Sequence, residues 1–179
     1  GDTYSFGTGS DNERAFGGLL SGSLITTIGA SFKNNTGDVI NTIFIQYYGE
    51  QWRLGDLGRE DRLDFQYSVN ATSLTTGTWT NFDPLDFIAP VISGTSGSAL
   101  DGNNASNRSL ISANLIGLSI PNGATFWIRW SDFNATGADD GLAVDDFSIT
   151  ALSPCAISIS AFAPASGPAG TQVTITGSN

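Results

Sequence analysis

A chain of 179 residues with 40% hydrophobic and 11% aromatic content can bury one sizeable core, or one domain plus a fragment of a second, and is not a disordered segment. A net charge of −10, with one lysine (Lys33) and six scattered arginines, lacks the clustered cations that nucleic acid requires. With no histidine, Ser-His-Asp and Cys-His nucleophiles are excluded and most zinc hydrolase sites lose their ligands, so an enzyme is not expected.

Gly, Ser, Thr and Asn dominate where helix-forming Lys and Glu would otherwise stand, the composition of many short strands joined by turns. The first clear strand runs from Ile28 to Lys33 and closes on the turn Asn34-Asn35-Thr36-Gly37. Val39 to Tyr48 follows. Val39, Asn41, Ile43, Ile45 and Tyr47 take one face and Ile40, Thr42, Phe44, Gln46 and Tyr48 the other, so both faces are largely apolar and the strand is central. Arg62 to Val69 alternates, with Leu63, Phe65 and Tyr67 inward. Thr125 to Asp132 does the same, with Phe126, Ile128 and Trp130 on one face and Trp127, Arg129 and Ser131 on the other. Leu142 to Ile149 is the last strand of this region. No twelve-residue window carries a capped 3.6-residue period, and no stretch approaches the roughly 18 apolar residues of a membrane span. The expected fold is all-β, an antiparallel β-sandwich of jelly-roll type.

Charge marks a boundary. No charged residue follows Asp146, and Pro154 comes soon after. The expected division is a sandwich over residues 1–151 and, over 152–179, a linker and the first hairpin of a second unit too short to hold a core alone. Cys155 rules out an internal disulfide framework. It is either a small buried residue or pairs beyond this chain. Leu152-Ser153-Pro154-Cys155 does not read as a lipoprotein cleavage site, since it is internal, contains a proline and follows no apolar run. The opening Gly1-Asp2-Thr3 reads as mature protein. Five Asn-x-Ser/Thr sequons, at Asn34, Asn70, Asn104, Asn107 and Asn134, read as turns.

Five strings carry a resemblance: Phe32-Lys33-Asn34-Asn35-Thr36-Gly37, Gly49-Glu50-Gln51-Trp52-Arg53, Leu100-Asp101-Gly102-Asn103, Phe126-Trp127-Ile128-Arg129-Trp130, and Asp139-Asp140-Gly141-Leu142-Ala143-Val144-Asp145-Asp146-Phe147. In that order they resemble a module common in large secreted proteins of environmental bacteria, over about residues 2–150. There it sits beside nuclease, phosphatase, adhesion and sorting-signal domains. The closing string looks like that of MAM domains and jelly-roll carbohydrate-binding modules, whose final core strand carries paired aspartates. The tail, Ser160 to Thr171 followed by Val173-Thr174-Ile175-Thr176-Gly177, resembles the opening hairpin of an immunoglobulin-like TIG (IPT) domain. The resemblance implies a secreted or cell-surface location and a chain cut from a longer multidomain protein.

Two candidate sites follow. Asp139 and Asp140 lie in a turn-rich loop, and Asp145 and Asp146 on the following strand must point to opposite faces, one toward the core. A buried carboxylate needs a cation or dense donors, supplied by Ca²⁺, by Arg129 or Arg14, or by hydrogen bonds. The MAM-like resemblance implies a structural cation on the paired aspartates, joined by an acidic residue near the N-terminus, here Asp11 or Glu13. The second site is Glu50, Trp52 and Arg53, just past the buried strand, with Trp79 and Trp127 as further candidates for an exposed ring. A Trp face stacks on a pyranose while charged side chains bond its hydroxyls; in the alternative, Glu50 and Arg53 form a structural salt bridge and Trp52 fills the end of the sandwich.

The expected function is non-catalytic binding or adhesion, with a glycan or another surface protein as partner and loops 50–61 and 95–108 presented to it. The alternatives are a repeating or spacer unit of a fibre, exchanging strands with its own copies through residues 157–179, and an accessory to a secreted hydrolase. A carboxylate pair could hydrolyse glycosides, but the acids here cluster with turn residues.

Overall fold

The computed structural model describes residues 1–9, 12–22, 24–152 and 158–178. Cys155 and the linker around it lie outside the described residues.

The strands are β1 (Asp2–Phe6), β2 (Ala15–Leu19), β3 (Thr27–Lys33), β4 (Ile40–Arg53), β5 (Arg62–Ser68), β6 (Thr80–Asn81), β7 (Phe87–Ile88), β8 (Arg108–Ile120), β9 (Thr125–Asp132), β10 (Gly141–Leu152), β11 (Ser158–Ala163) and β12 (Thr174–Ser178). A 3-10 turn spans Asp83–Leu85. The first sheet runs β1-β2-β10-β4-β8. The second runs β3-β9-β5-β6, with β7 also pairing β5. Every named pairing is antiparallel. From β2 to β5 successive strands alternate between the two sheets, and β8, β9 and β10 alternate again, which is the connectivity of a jelly roll. The hairpin expected in the tail forms: β11 pairs β12 as a separate two-stranded sheet.

The core lies between the sheets, where the period-two pattern predicts it. Ile43, Ile45 and Tyr47 of β4 meet Phe65 of β5 and Ile128 and Trp130 of β9. Trp130 organises it, with ring centroids 5.1 Å from Tyr47, 5.4 Å from Phe65 and 5.7 Å from Phe147, all edge-to-face. Tyr47 is fully buried, and its hydroxyl donates to Leu85 O at 2.6 Å.

Two irregularities shape the site. Arg53 pairs Gly141 but Gln51 pairs Leu142, so β4 carries one extra residue, Trp52, at a bulge. Asp145 pairs Tyr48 but Ser148 pairs Gln46, so β10 carries an extra residue too. Asp146 lies there at φ +48, a left-handed conformation that Asp tolerates better than most side chains. That bulge overturns the expectation that one of the paired aspartates faces the core. Val144 and Phe147 pack inward, Asp145 lies half-buried on the outer face, and Asp146 is exposed.

Candidate functional site

The expected end of the central strand near Tyr48 falls short: β4 continues to Arg53, so Glu50, Gln51, Trp52 and Arg53 are strand residues rather than a loop. Register then places the outer-face neighbours. Glu50 stands opposite Arg108 of β8 on one side and Ala143 of β10 on the other. Asp145 stands opposite Tyr48, two residues along from Ala143, and so lies diagonal to Glu50, within reach of side chains.

Glu50, Asp145 and Glu13 come together here, with one carboxylate oxygen from each lying within 4.8 Å of the others. Glu13 arrives from the segment before β2, where the Asn103 amide donates to its Oε2. Glu50 is completely buried. Its Oε2 accepts from Trp52 Nε1 at 3.1 Å, whereas its Oε1 makes no hydrogen bond. The nearest cation to Oε1 is Arg108 Nη1 at 3.4 Å, and that guanidinium lies 3.6 Å over the Tyr48 ring and 3.5 Å from Asp146 Oδ2. Burial pushes the Glu50 carboxyl up to about 7, with Asp145 and Glu13 adding to the rise and Trp52 and Arg108 opposing it. Burial also raises Glu13, against the Asn103 hydrogen bond and with the help of Asp145. Three acids thus meet beside the Arg108 guanidinium, an all-oxygen donor set of the kind that a hard cation such as Ca²⁺ takes.

The loop between β7 and β8 closes over this cluster. Leu100 N–H donates to Trp52 O at 2.9 Å, and Gln51 N–H donates to Asn107 O at 2.9 Å. Gly102 lies so close to the indole that any side chain there would overlap it. Trp52 is therefore buried, stacked on Phe6 at 5.9 Å, and packs with Ala15 and Ala143 in a small second core. Its rings are not presented as an open platform.

Asp139 and Asp140 do not join the Glu13–Glu50–Asp145 group. Both are buried with Asp61 and Asp132. Asp140 accepts from Gly55 N–H at 2.6 Å and Gln51 Nε2 at 2.7 Å. Asp61 accepts from Arg59 at 3.0 Å and from Asp140 N–H at 2.7 Å, and Asp139 accepts from Ala135 N–H at 3.1 Å. Asp132 Oδ2 ties together Leu20 N–H at 3.1 Å and the Thr26 hydroxyl at 3.0 Å, linking β9 to the segment after β2. Burial pushes Asp140 up to about 6 and Asp132 to about 7, with Asp61 adding to both. Backbone donors and Arg59 hold most of this set.

The remaining candidates separate. Asp11 lies outside the described residues. Arg53 donates to Asp139 O and does not pair with Glu50. Trp127 is half-buried on β9, opposite Ser31 and Ser68. Trp79 has Arg129 stacked 3.9 Å over its ring, and Arg14 donates to backbone carbonyls. Neither arginine neutralises the paired aspartates; Arg108 takes that part. Arg108 and Asn103 were both expected in the presented loop 95–108, Asn103 also within a resemblance string, and neither in an acidic site. The cue for both was long-range, since each reaches the cluster through pairings that no local period reveals. No protein-family model matches the chain, and no curated protein matches it.

Proposed function

We propose that this chain is a non-catalytic, extracellular binding or adhesion module of a larger bacterial surface or secreted protein, stabilised by a calcium ion held by Glu13, Glu50 and Asp145. One observation carries the cation: Glu50 is completely buried and belongs to a cluster of carboxylates, yet its Oε1 has no hydrogen bond and, among the described residues, only Arg108 forms an ion pair with it. A buried anion in that position is costly unless a proton or a cation compensates it. Ca²⁺ supplies that compensation and joins three remote pieces of chain: the segment before β2, β4 and β10. The lack of histidine supports the non-catalytic reading. Thermal melting at pH 7.5 tests the cation. Added calcium raises the midpoint and a chelator lowers it, whereas a midpoint indifferent to both would defeat the proposal.

The hairpin favours a second reading. Ile159, Phe162 and Ile175 are exposed on β11 and β12, an apolar surface of the kind that takes a partner strand or sheet. In that reading the module is a fibre unit whose hairpin, resembling the start of a TIG domain, pairs with another copy. Sedimentation over a concentration series decides it, since a monomer at every concentration excludes strand exchange.

A further inference from the structure

A cleft on the outer face of the first sheet brings aromatic rings and guanidinium groups together. Tyr4 and Phe6 project from the same face of the edge strand β1, their ring centroids 5.5 Å apart at 45°. Phe6 in turn stacks on Trp52 at 13°, so three rings form a row from the exposed Tyr4 to the buried Trp52. Small residues let the row lie close to the sheet. Gly17, opposite Tyr4, has no space for a side chain against Ala143, and a methyl on Gly141 would stand 3.5 Å from the Phe6 ring. The segment from Gly97 to Leu100 forms the facing wall, held by Leu100 N–H on Trp52 O and by Arg53 in a bridge to Ala99. The space between is open to solvent and holds about 540 Å³, the size of a small-ligand site.

The charge in this cleft is positive. Among the described residues that line it, Arg53 is the one charged side chain. The Arg14 guanidinium packs against Gly7 at the rim, so closely that a side chain on Gly7 would overlap it. Two of the chain's seven basic residues therefore meet at one aromatic cleft in a protein of net charge −10. Arg53 commits one nitrogen to Asp139 O, while Nη2 lies next to Gly97 on the cleft wall.

We infer that this cleft binds an acidic carbohydrate, with uronic-acid units stacked on Tyr4 and Phe6 and a sugar carboxylate on Arg53. Aromatic faces accept the apolar C–H side of a pyranose, and a planar guanidinium matches a carboxylate in size and charge. No lining side chain supplies the carboxylate acceptors that commonly bind the hydroxyls of neutral sugars, which turns the preference toward an anion. The inference rests on the binding-module reading, and it relocates the sugar contact from the buried Trp52 to Tyr4 and Phe6.

Calorimetry of the full chain tests it, comparing short oligoglucuronates with neutral oligoglucosides of the same linkage. The acidic oligomers bind at least tenfold more tightly than the neutral ones, and binding weakens as salt is raised. Tyr4→Ala and Arg53→Gln each reduce it at least tenfold. Tyr4 is exposed and outside the acidic cluster, so Tyr4→Ala leaves the calcium-dependent melting shift in place, which separates failure of the cleft from failure of the cation. Equal binding of neutral oligomers, no binding of either, or acidic binding untouched by both variants would overturn the inference. So would a poly-glutamate peptide that binds where the oligoglucuronate does not, because the β1 edge would then be taking a peptide strand.

Discussion

Trp52 and Glu50 are bonded side chain to side chain: the indole N–H donates to Glu50 Oε2 at 3.1 Å, and both residues lie under the loop that carries Gly102. Glu50 and Trp52 are two residues apart on β4, so the strand's period of two puts both over the same face. Trp52→Phe keeps the ring against Phe6 and removes the hydrogen bond that the indole N–H gives Glu50. Leaving a buried acceptor without its donor costs about 1–3 kcal/mol. Urea denaturation at pH 7.5 checks it, and an unchanged midpoint would mean that the bond contributes nothing.

Gly102→Ala probes the same lid from the other side. An added methyl overlaps the Trp52 indole, so the loop must lift. Overpacking of this kind costs about 1–3 kcal/mol. Near-UV circular dichroism reads it through the altered tryptophan environment, and a wild-type spectrum with wild-type stability counts against the closed lid.

Stability should depend on pH through the second acidic set. Asp132 is pushed from an ordinary 3.8 up to about 7, and Asp140 up to about 6, burial leading in both. Between those limits the folded chain binds protons that the unfolded chain has released. Stability therefore falls as pH rises from about 4 toward 7, the sign opposite to that of a salt-bridged carboxylate. Asp132 faces Asp61 and Asp139 as well as the Thr26 hydroxyl and Leu20 N–H, and its Oδ1 has no hydrogen bond. Asp132→Asn removes the charge while keeping an acceptor for those two donors. It should flatten the slope and raise stability near pH 7.5 by on the order of 2 kcal/mol. Melting curves across pH for both proteins check this, and parallel slopes would remove Asp132 from the account.

Tyr47→Phe isolates one core hydrogen bond. Tyr47 is fully buried between the sheets, and its hydroxyl donates to Leu85 O at 2.6 Å. Losing it costs about 1 kcal/mol, with Leu85 O left unpaired at that position. Chemical denaturation measures the difference, which should be equal with and without calcium because Tyr47 lies on the inner face.

The sandwich was largely legible because side-chain alternation is a local property. Leu63 and Phe65 on β5, and Phe126, Ile128 and Trp130 on β9, fall inward as their period of two requires. The site was legible only in part. Glu13, Glu50 and Asp145 were each singled out, but Glu50 was assigned to a sugar or to a salt bridge with Arg53, and the other two to a cation. The expected end of β4 at Tyr48 hid the fact that Glu50 shares a face with Asp145. Strict alternation also misplaced Asp145 and Asp146, since one bulge residue resets the phase of every side chain after it. Asp61 and Asp132 carry no motif at all. They meet Asp139 and Asp140 through loop connections at one end of the sandwich, a relation set by topology rather than by local pattern.

The most direct test of the central claim is calcium binding to the intact chain by calorimetry, wild type against Glu50→Gln. Gln preserves the size of the side chain and an acceptor for Trp52 while removing the buried charge. The wild type should bind one calcium per chain, with affinity in roughly the micromolar to millimolar range, and Glu50→Gln should lose it. A wild type that binds no calcium, or a Glu50→Gln variant that binds it equally well, would rule out a calcium ion held by Glu13, Glu50 and Asp145.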